Sequence, residues 1–332
     1  YFMKALILAA GKGTRLRPVT DKVIKPLLPL RGQPTLHYVI SELLVLGITE
    51  IGIVVSPDNQ AQINNFIEEN RSLDENFIEI IVQEEQLGVA HAVASARSFI
   101  GNQNFVLYLG DNLFESGVDQ VLTEFNRNQI TTIGLKQVKD PSKFGVGVVG
   151  MNGELTKIIE KPKNSPSKFA VTGIYCFTPD IMKSIETLKL SPRGEFEITG
   201  AVQDLIDNNI KVQTKIIDGW WVDTGNLQDF LIANKKISNS LHVYKLNIPD
   251  ENLNCVNSRI DGSVLIKPSV KIMNSIISNF SSIEDNVVIE NSTIENCVVM
   301  KNCVIRNTKL INCLVGPSVV MEEKKCIENE IL

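Results

Sequence analysis

The chain has 332 residues, of which 43% are hydrophobic and 21% charged, and its formal net charge is −5. This length and apolar content are enough for a full core and favour two domains, and they exclude an intrinsically disordered chain. The mild acidity argues against a nucleic-acid-binding protein, which would carry a basic patch. No apolar run approaches the length of a membrane-spanning helix, and no leader-like segment precedes the first strand-like run. We therefore expect no nucleic-acid partner and no membrane association.

The six cysteines are unevenly placed along the chain. Only Cys176 precedes position 254, and the others crowd the last part of the sequence: Cys255, Cys297, Cys303, Cys313 and Cys326. No two of them form a Cys-x-x-Cys pair, so we do not expect a zinc site. Thiols that need no disulfide fit a reducing compartment, and we therefore expect a cytoplasmic protein.

The first part of the chain alternates predicted strands and helices. Strands are predicted over 4–9, 51–55, 78–82 and 105–109, and helices over 34–46, 60–69 and 90–99. This order indicates an α/β fold, a Rossmann-like sheet with helices on both faces. Ligands of such sheets bind at the carboxyl ends of the strands, so the loops over 10–17, 83–91 and 110–114 are candidate site segments.

After about residue 254 the pattern changes to a short repeat. Aliphatic residues recur every five or six residues, at positions 260, 266, 272, 277, 283, 289, 294, 299, 305, 310 and 315. A small residue stands two positions before each of them, and Cys297, Cys303 and Cys313 take that place. An asparagine precedes the small residue at 257, 274, 291, 296, 302, 307 and 312, and asparagine tolerates the left-handed backbone of a tight corner. This hexapeptide-like repeat predicts a β-helix with the aliphatic residues inside, and an irregular β-sandwich is the alternative.

The change of pattern also predicts the domain boundaries. A first domain would span 3–238, a linker 239–253 and the repeats 254–332. The asparagines at 257, 274 and 291 predict coils of 17 residues. The flat faces of such a stack of coils suit self-association, so we expect a homo-oligomer.

The most informative segment follows the first predicted strand and reads Leu8-Ala9-Ala10-Gly11-Lys12-Gly13-Thr14-Arg15-Leu16-Arg17-Pro18. Two glycines after a strand let backbone N–H groups approach an anion closely. Positive charge is concentrated here, on Lys12, Arg15 and Arg17, and Lys25 follows within reach. The spacing fits neither a Walker A loop nor a dinucleotide-binding GxGxxG turn. A polyphosphate is the ligand we expect, although the turn alone fits a plain tight turn equally well.

This segment resembles the opening signature of the sugar-1-phosphate nucleotidyltransferases, and further family motifs follow in order. They are Leu109-Gly110-Asp111-Asn112, Phe144-Gly145-Val146, Glu160-Lys161-Pro162, Val171-Thr172-Gly173-Ile174-Tyr175, Arg193-Gly194-Glu195-Phe196-Glu197-Ile198-Thr199 and Trp221-Val222-Asp223-Thr224-Gly225. Within that family the series is most similar to the long form of the glucose-1-phosphate thymidylyltransferases. The resemblance covers residues 3–235 and implies a nucleotidyltransferase sheet followed by a short left-handed parallel β-helix.

The resemblance implies a reaction in which dTTP or UTP and glucose 1-phosphate give a nucleotide sugar and pyrophosphate. The sugar phosphate oxygen would attack the α-phosphorus in line, so catalysis would rest on positioning and charge neutralisation. By motif match the catalytic residues would be Arg15, Lys25 and Asp111. Asp111 and Asp223 would hold Mg²⁺, a hard ion that prefers carboxylate and phosphate oxygens.

The same match assigns the binding residues. The nucleotide would contact Leu8, Ala10, Gly11, Gly13, Thr14, Arg15, Gln83, Gly88 and Asp111, and the sugar phosphate would contact Gly145, Glu160, Lys161, Val171 and Gly173. The amide of Gln83 can pair with the N3–H and O4 edge of uracil or thymine. One methyl group gives limited discrimination between these bases, so dTTP and UTP both remain candidates. We expect His91 to be a structural helix residue.

Other interpretations remain open at this point. Taken singly, Asp111 fits a helix cap or turn, and Arg15 and Lys25 fit solvated surface cations. A second function, acetyl transfer by the β-helix, would need a histidine base, and all three histidines precede the repeats, at 37, 91 and 242. A non-catalytic regulatory subunit of the same fold would be expected to lose the phosphate-loop arginine or the metal aspartate. This chain keeps both, which favours catalysis.

Overall fold

The computed structural model describes residues 3–70, 77–239, 254–323 and 325–332. Contacts between residues divide the chain into two compact units. The first unit comprises Tyr1–Gly11 and Val39–Trp221, and the second comprises Lys12–Tyr38 and Val222–Leu332. The segment that follows the glycine turn thus belongs to the same unit as the repeats. The linker predicted over 239–253 lies outside the described residues from 240 onward, and the predicted domain boundaries stay predictions.

The described elements before the repeats alternate as the sequence predicts. The strands are β1 (Lys4–Leu8), β2 (Pro29–Leu30), β3 (Gln33–Pro34), β4 (Glu50–Val55), β5 (Phe77–Val82), β6 (Phe105–Leu109), β7 (Asn112–Phe114), β8 (Thr132–Gln137), β9 (Gly145–Val149), β10 (Leu155–Glu160), β11 (Phe169–Phe177), β12 (Gln213–Ile216) and β13 (Trp221–Asp223). The helices are α1 (Thr35–Val45), α2 (Pro57–Glu69), α3 (Val89–Ser95), α4 (Arg97–Ile100), α5 (Gly117–Asn128), α6 (Asp180–Thr187), α7 (Ile198–Asp207) and α8 (Leu227–Asn239). The helix predicted over 90–99 is therefore two helices, separated at Ala96.

The first unit is built on a nine-stranded mixed sheet. Strands run in the order β10-β9-β11-β6-β1-β4-β5, and β8 joins β11 to β12. Strands β6, β1, β4 and β5 are mutually parallel, whereas β11 is antiparallel to β6, β8 and β9. A core of buried aliphatic and aromatic side chains, including Leu6, Val54, Phe105 and Leu107, packs against helices α3, α6 and α7. The predicted α/β sheet is confirmed, and its antiparallel half was not evident from the sequence.

The repeats form a left-handed parallel β-helix of three sheets. Their strands are β14 (Asn254–Val256), β15 (Arg259–Asp261), β16 (Leu265–Ile266), β17 (Lys271–Met273), β18 (Ile276–Ser278), β19 (Ser282–Ile283), β20 (Val288–Glu290), β21 (Thr293–Glu295), β22 (Val298–Val299), β23 (Val304–Arg306), β24 (Thr308–Ile311), β25 (Leu314–Val315), β26 (Val320–Met321) and β27 (Lys325–Glu328). Lys271 pairs with Val288, 17 positions on, and Val288 pairs with Val304, 16 positions on. The predicted 17-residue coil therefore shortens to 16 in the middle turns, and Thr308 pairs with Lys325 at a spacing of 17 again.

The repeat positions have the predicted roles. Every predicted interior aliphatic residue from Ile266 to Val315 is buried, whereas Ile260, in the first coil, is 37% exposed. All seven predicted corner asparagines have positive φ, as Asn291 does at 48°. The cysteines at 297, 303 and 313 are buried in the small-residue position, and the six cysteines of the chain are free thiols. The predicted β-helix is confirmed, and the sandwich alternative is wrong.

In the second unit, Asn234 of helix α8 links three separate pieces of chain. Its Oδ1 accepts hydrogen bonds from the Arg31 backbone N–H at 2.9 Å and from the Ser282 hydroxyl at 3.1 Å. Its Nδ2 donates to the carbonyl oxygen of Phe280 at 2.6 Å. The side chain is fully buried, so each of these bonds replaces a bond to water that folding removes. The β2–β3 hairpin and helix α8 are thereby attached to the second coil of the β-helix.

The segment after the glycine turn also rests on the β-helix. The ammonium of Lys22 donates to the carbonyl oxygen of Pro317 at 3.2 Å, and that of Lys267 donates to Gly32 at 3.2 Å. A Cβ atom added to Gly316 would lie 3.1 Å from a methyl group of Val19. The repeats thus support the chain between residues 13 and 34 within this unit. In the described part of the chain, no helix has the length and apolar character needed to cross a membrane.

Candidate active site

The glycine turn after β1 is open at one glycine and tightly packed at the other. No heavy atom lies within 4 Å of a Cβ added to Gly11, so a ligand can approach the backbone there. Gly13 has a φ of +63°, and an added Cβ would lie 3.0 Å from Thr20 and 3.2 Å from Lys25. The Thr20 hydroxyl donates to the Gly13 carbonyl oxygen at 2.9 Å. This geometry explains both glycines, since one exposes the backbone and the other adopts a left-handed conformation.

Arg15, Lys25 and Asp223 lie around one further glycine in the second unit. A Cβ added to Gly225 would lie 2.8 Å from Nη2 of Arg15 and 3.0 Å from Oδ1 of Asp223. The Lys25 ammonium lies 3.7 Å from the same carboxylate oxygen, and these two side chains are 10% and 28% exposed. The structure thus brings together two predicted catalytic cations and one predicted metal ligand. Our residue assignment missed Gly225, although it lies within the Trp221–Gly225 motif.

Helix α8 begins directly after this cluster, and its first turn is capped by its own sequence. Asn226 Oδ1 accepts from the Asp229 backbone N–H at 3.0 Å, and Asn226 Nδ2 donates to the Asp229 carboxylate at 2.6 Å. This reciprocal pair satisfies donors that the first turn of a helix leaves free. The cap defines where the helix starts and therefore holds the corner that carries Asp223 and Gly225.

In the first unit, Asp111 follows β6 and is oriented by the next residue. Asn112 Nδ2 donates to Asp111 Oδ1 at 2.8 Å, and the Trp221 indole N–H donates to Asn112 Oδ1 at 2.7 Å. A Cβ added to Gly173 would lie 3.0 Å from Asn112 Nδ2 and 2.9 Å from a methyl of Leu109. Gly173 therefore makes room for the Asn112 amide, a contact that the motif match did not indicate.

The two predicted metal ligands belong to different units, Asp111 to the first and Asp223 to the second. Their carboxylate oxygens are the donors that Mg²⁺ prefers. No group of three or more His, Cys, Asp or Glu side chains suited to a metal occurs among the described residues.

The amide of Gln83 is held in one orientation. Gln83 is 3% exposed, and its Nε2 donates to the Gly88 carbonyl oxygen at 3.2 Å and lies 3.0 Å from Nδ1 of His91. A carbonyl oxygen can only accept, so the NH₂ group must face Gly88, and His91 Nδ1 must then be the acceptor, with its ring proton on Nε2. This leaves Gln83 Oε1 to accept from a ligand. His91 is thus a helix residue that also holds the Gln83 amide, a contact that we did not predict.

His91 and Gly88 are themselves placed by the segment before α7. The His91 ring stacks on Phe196 with ring centroids 6.3 Å apart. Gly88 has a φ of +104°, and an added Cβ would lie 2.7 Å from the Phe196 carbonyl oxygen. The Ala90 N–H donates to the same oxygen at 3.0 Å. The Arg193–Thr199 motif thus shapes the loop predicted to bind the base.

Glu160, at the end of β10, is the centre of a polar cluster in the first unit. Its carboxylate accepts from the Thr199 hydroxyl at 3.1 Å and from Nη1 of Arg193 at 3.1 Å, and the Lys161 ammonium lies 3.7 Å away. Burial, together with the nearby charge of Glu160, raises the pKa of Glu197, which also accepts from Arg193. The sequence assignment missed Arg193 and Thr199, although both lie in one of its motifs.

Two more predicted sugar-site residues surround this carboxylate. A Cβ added to Gly145 would lie 2.8 Å from Thr199, 3.3 Å from a methyl of Val171 and 3.4 Å from Glu160 Oε2. The structure therefore groups Gly145, Glu160, Lys161 and Val171, whereas Gly173 lies against Asn112 and Leu109. The cluster offers hydroxyl-accepting oxygens beside two cations, a combination suited to a sugar phosphate.

The chain matches the nucleotidyl transferase family over residues 4–240. It is 35% identical over 334 residues to a glucose-1-phosphate thymidylyltransferase of Streptomyces antibioticus, covering 96% of this chain and 93% of that protein. It is also 35% identical over 272 residues to a bifunctional protein GlmU of Methanococcus maripaludis, covering 81% of this chain and 62% of the relative. A solved structure of a putative glucose-1-phosphate thymidylyltransferase from Bacillus anthracis superposes with a TM-score of 0.64 and 32% identity, over 70% of this chain and 94% of that one.

The sheet topology, the phosphate turn and the full-length similarity agree with one another. The match to the Streptomyces antibioticus protein covers 96% of this chain and therefore includes residues of the repeats. The chain therefore belongs to the nucleotidyl transferase family, as one of its sugar-1-phosphate nucleotidyltransferases.

Proposed function

We propose that the chain transfers a thymidylyl or uridylyl group to glucose 1-phosphate. The observation that carries this proposal is the grouping of Arg15 and Lys25 with Asp223 around Gly225. Two cations and a carboxylate at the edge of a glycine turn suit a triphosphate and a divalent cation. The relatives named for glucose 1-phosphate support the choice of sugar.

The reaction needs positioning and charge stabilisation but no covalent enzyme intermediate. An oxygen of the sugar phosphate forms a bond to the α-phosphorus while the bond from that phosphorus to the β-phosphate oxygen breaks, and pyrophosphate leaves. Arg15 offsets the charge that develops on the leaving pyrophosphate, and Lys25 does so near the α-phosphorus. Mg²⁺ held by Asp111 and Asp223 would add Lewis-acid stabilisation of the phosphate oxygens. Asn112 keeps the Asp111 carboxylate in place for this role.

The locked amide of Gln83 supports a thymine or uracil base. Its free Oε1 needs a hydrogen-bond donor, which N3–H of thymine and uracil provides. Cytosine presents an acceptor at N3 and would leave two acceptors facing each other. Because thymine and uracil share this edge, we expect dTTP and UTP both to react, with a modest difference set by the methyl group.

Release of pyrophosphate tests this proposal. The protein is incubated with Mg²⁺, glucose 1-phosphate and each of dTTP, UTP, CTP and ATP, and we expect release with dTTP and UTP. Asp111→Asn should lower kcat by roughly 10²-fold or more, because a charge-stabilising group is lost. Asp58→Asn, an exposed carboxylate change in the first turn of α2, is the matched control and should keep full activity. No release with either dTTP or UTP would refute the proposal, and with it the catalytic interpretation.

Acetyl transfer by the β-helix is a second candidate, supported by the similarity to the bifunctional protein GlmU. The absence of histidine after position 242 argues against it, since the expected base is missing. Release of free thiol from acetyl-coenzyme A in the presence of glucosamine 1-phosphate would show this activity, and we expect none.

Assembly and location are also proposed rather than observed. Large apolar side chains are exposed on the first coils of the β-helix, at Val256, Ile260, Met273 and Ile276. Such residues favour self-association, so we propose a homo-oligomer. Six free thiols fit a reducing compartment, so we also propose that the protein works in the cytoplasm. Light scattering on the full chain measures the number of subunits, and a monomer would refute the first of these two proposals.

A further inference from the structure

The second unit contains a groove of about 760 Å³ that shares Arg15 with the proposed catalytic residues but otherwise lies outside them. One wall is helix α8, which contributes Leu227, Leu231 and Lys235. The opposite wall is a row of corner asparagines of the β-helix at positions 296, 312 and 329. Arg15 lines the same groove. Its volume is within the range of about 300–1,000 Å³ that is usual for small-molecule sites.

The charge of this groove selects an anion. Arg15 and Lys235 line it, and no acidic side chain does so, in a chain whose formal net charge is −5. Within the described part of the chain neither cation forms an ion pair, and the Lys235 ammonium lies 4.7 Å from the centre of the Phe280 ring. Two cations and no acidic side chain in the lining give the groove a positive potential, and this attracts a phosphate group.

The row of corner asparagines favours a ligand that carries hydroxyl groups. Asn296 Nδ2 donates to Asn312 Oδ1 at 2.7 Å, and Asn312 Nδ2 donates to Asn329 Oδ1 at 3.2 Å. The amides therefore point one way, and Asn296 Oδ1 is a buried acceptor with no partner among the described residues. All three asparagines have positive φ, as expected at corners of the β-helix.

We propose that this groove is a binding site for a hexose phosphate that is separate from the catalytic sugar site. The phosphate would lie between Arg15 and Lys235, and the sugar hydroxyls would pair with the asparagine row. Leu227 and Leu231 would provide an apolar floor for the sugar ring, as in most small-ligand pockets. Because Arg15 is also proposed to bind the triphosphate, the occupant competes for its guanidinium and raises the apparent KM for the triphosphate. This consequence rests on the proposed function, whereas binding itself does not.

Calorimetry with glucose 6-phosphate on the full chain tests the site, because this compound has no phosphate at C1 to act as acceptor. Lys235→Ala should weaken binding at least tenfold, and so should Asn312→Gly, which keeps the positive φ while removing the amide. Two matched controls should leave binding unchanged. They are Lys236→Ala, at the next position of α8 but outside the groove, and Glu160→Gln, in the predicted catalytic sugar site.

Several results would overturn the proposal. They are the absence of glucose 6-phosphate binding at millimolar concentration, binding that survives Lys235→Ala and Asn312→Gly, and loss of binding in Glu160→Gln. Equal affinity for inorganic phosphate would show that the asparagine row contributes nothing, which also contradicts the proposal. A Lys235-dependent rise in the apparent KM for dTTP would support competition for Arg15, and an unchanged KM at saturating glucose 6-phosphate would refute it. If binding is found but no nucleotidyl transfer, the proposed function fails while the site stands.

Discussion

The mixed sheet of the first unit and the β-helix of the second differ in how far apart their paired core residues lie in the sequence. In the β-helix, Ile289 is paired with Ile272 and Ile305, each one coil away. In the sheet, Leu107 is paired with Leu6 on one side and Tyr175 on the other, across most of the first unit. In the β-helix, the register of each coil is set by the next coil in the sequence. In the sheet, the register depends on pairing between strands that are far apart in the sequence.

This difference predicts how much of each unit is destabilised when one core side chain is shortened. Ile289→Ala and Leu107→Ala each remove a fully buried side chain, and each should cost about 2–5 kcal/mol of unfolding free energy. Hydrogen exchange should rise over the adjoining coils for Ile289→Ala, because each coil contacts only its neighbours. It should rise in β1, β6 and β11 together for Leu107→Ala. Urea titration with exchange mass spectrometry measures both, and equally broad changes in the two variants would contradict the comparison.

Substitution of Asn234 tests how much its hydrogen bonds to the β2–β3 hairpin and to the β-helix contribute to stability. Asn234→Leu removes three hydrogen bonds and leaves the Arg31 N–H and the Phe280 carbonyl oxygen buried without partners. We expect a loss of about 3 kcal/mol, measured by thermal or urea unfolding. Asn239→Leu, at the exposed end of the same helix, is the control. Equal stability of the two variants would mean that the hydrogen bonds of Asn234 contribute little to the free energy of unfolding.

The contribution of Glu42 to the stability of the first unit should depend on pH. The corner asparagines of the repeats have no titratable group and should make no such contribution. The Glu42 carboxylate accepts from the Tyr108 hydroxyl at 2.9 Å, and burial raises its pKa from 4.5 to about 7. A raised carboxyl pKa means that the folded state holds its proton more tightly, so this contribution to stability is full below pH 4.5 and is lost as the pH rises through 7.

Glu42→Gln should therefore remove about 3 kcal/mol of the pH dependence of stability between pH 4.5 and 8, and it should be the more stable form at pH 8. Chemical unfolding at several pH values measures the difference. Glu69→Gln, an exposed change at the end of α2, serves as the control for altered net charge. Parallel stability curves for wild type and Glu42→Gln would show that the carboxyl does not titrate in this range.

The smallest effect is expected at a single corner of the β-helix. Asn291 has a φ of 48°, a conformation that costs about 1 kcal/mol more for alanine than for asparagine or glycine. Asn291→Ala should therefore destabilise the protein by about 1 kcal/mol, and Asn291→Gly should be close to neutral. Differential scanning calorimetry of the two variants compares them directly. If alanine and glycine have the same effect, backbone conformation is not the reason for asparagine at the corners.

Part of the site was readable from motifs, and part was not. The cations of the glycine turn, Asp223 and Glu160 all lie in short segments that resemble motifs of the family, and their roles in the site stay predictions. The residues that hold them in place, such as Asn112, Gly225 and His91, were not assigned, because each acts on a side chain or backbone group brought near only by folding. Our interpretation of His91 as a structural residue overlooked its contact with Gln83 for that reason.

The β-helix could be read residue by residue, since a period of five or six residues specifies which side chains face inward and which corners need positive φ. Its one misplaced interior residue, Ile260, is in the first coil, where no earlier described coil covers it. The alternation of strands and helices in the first unit also followed from local pattern. The order of strands in the sheet, the support of residues 13–34 by the repeats and the orientation of Gln83 did not. Each of these depends on hydrogen bonds and packing between residues far apart in the chain, and periodicity carries no information about such pairs.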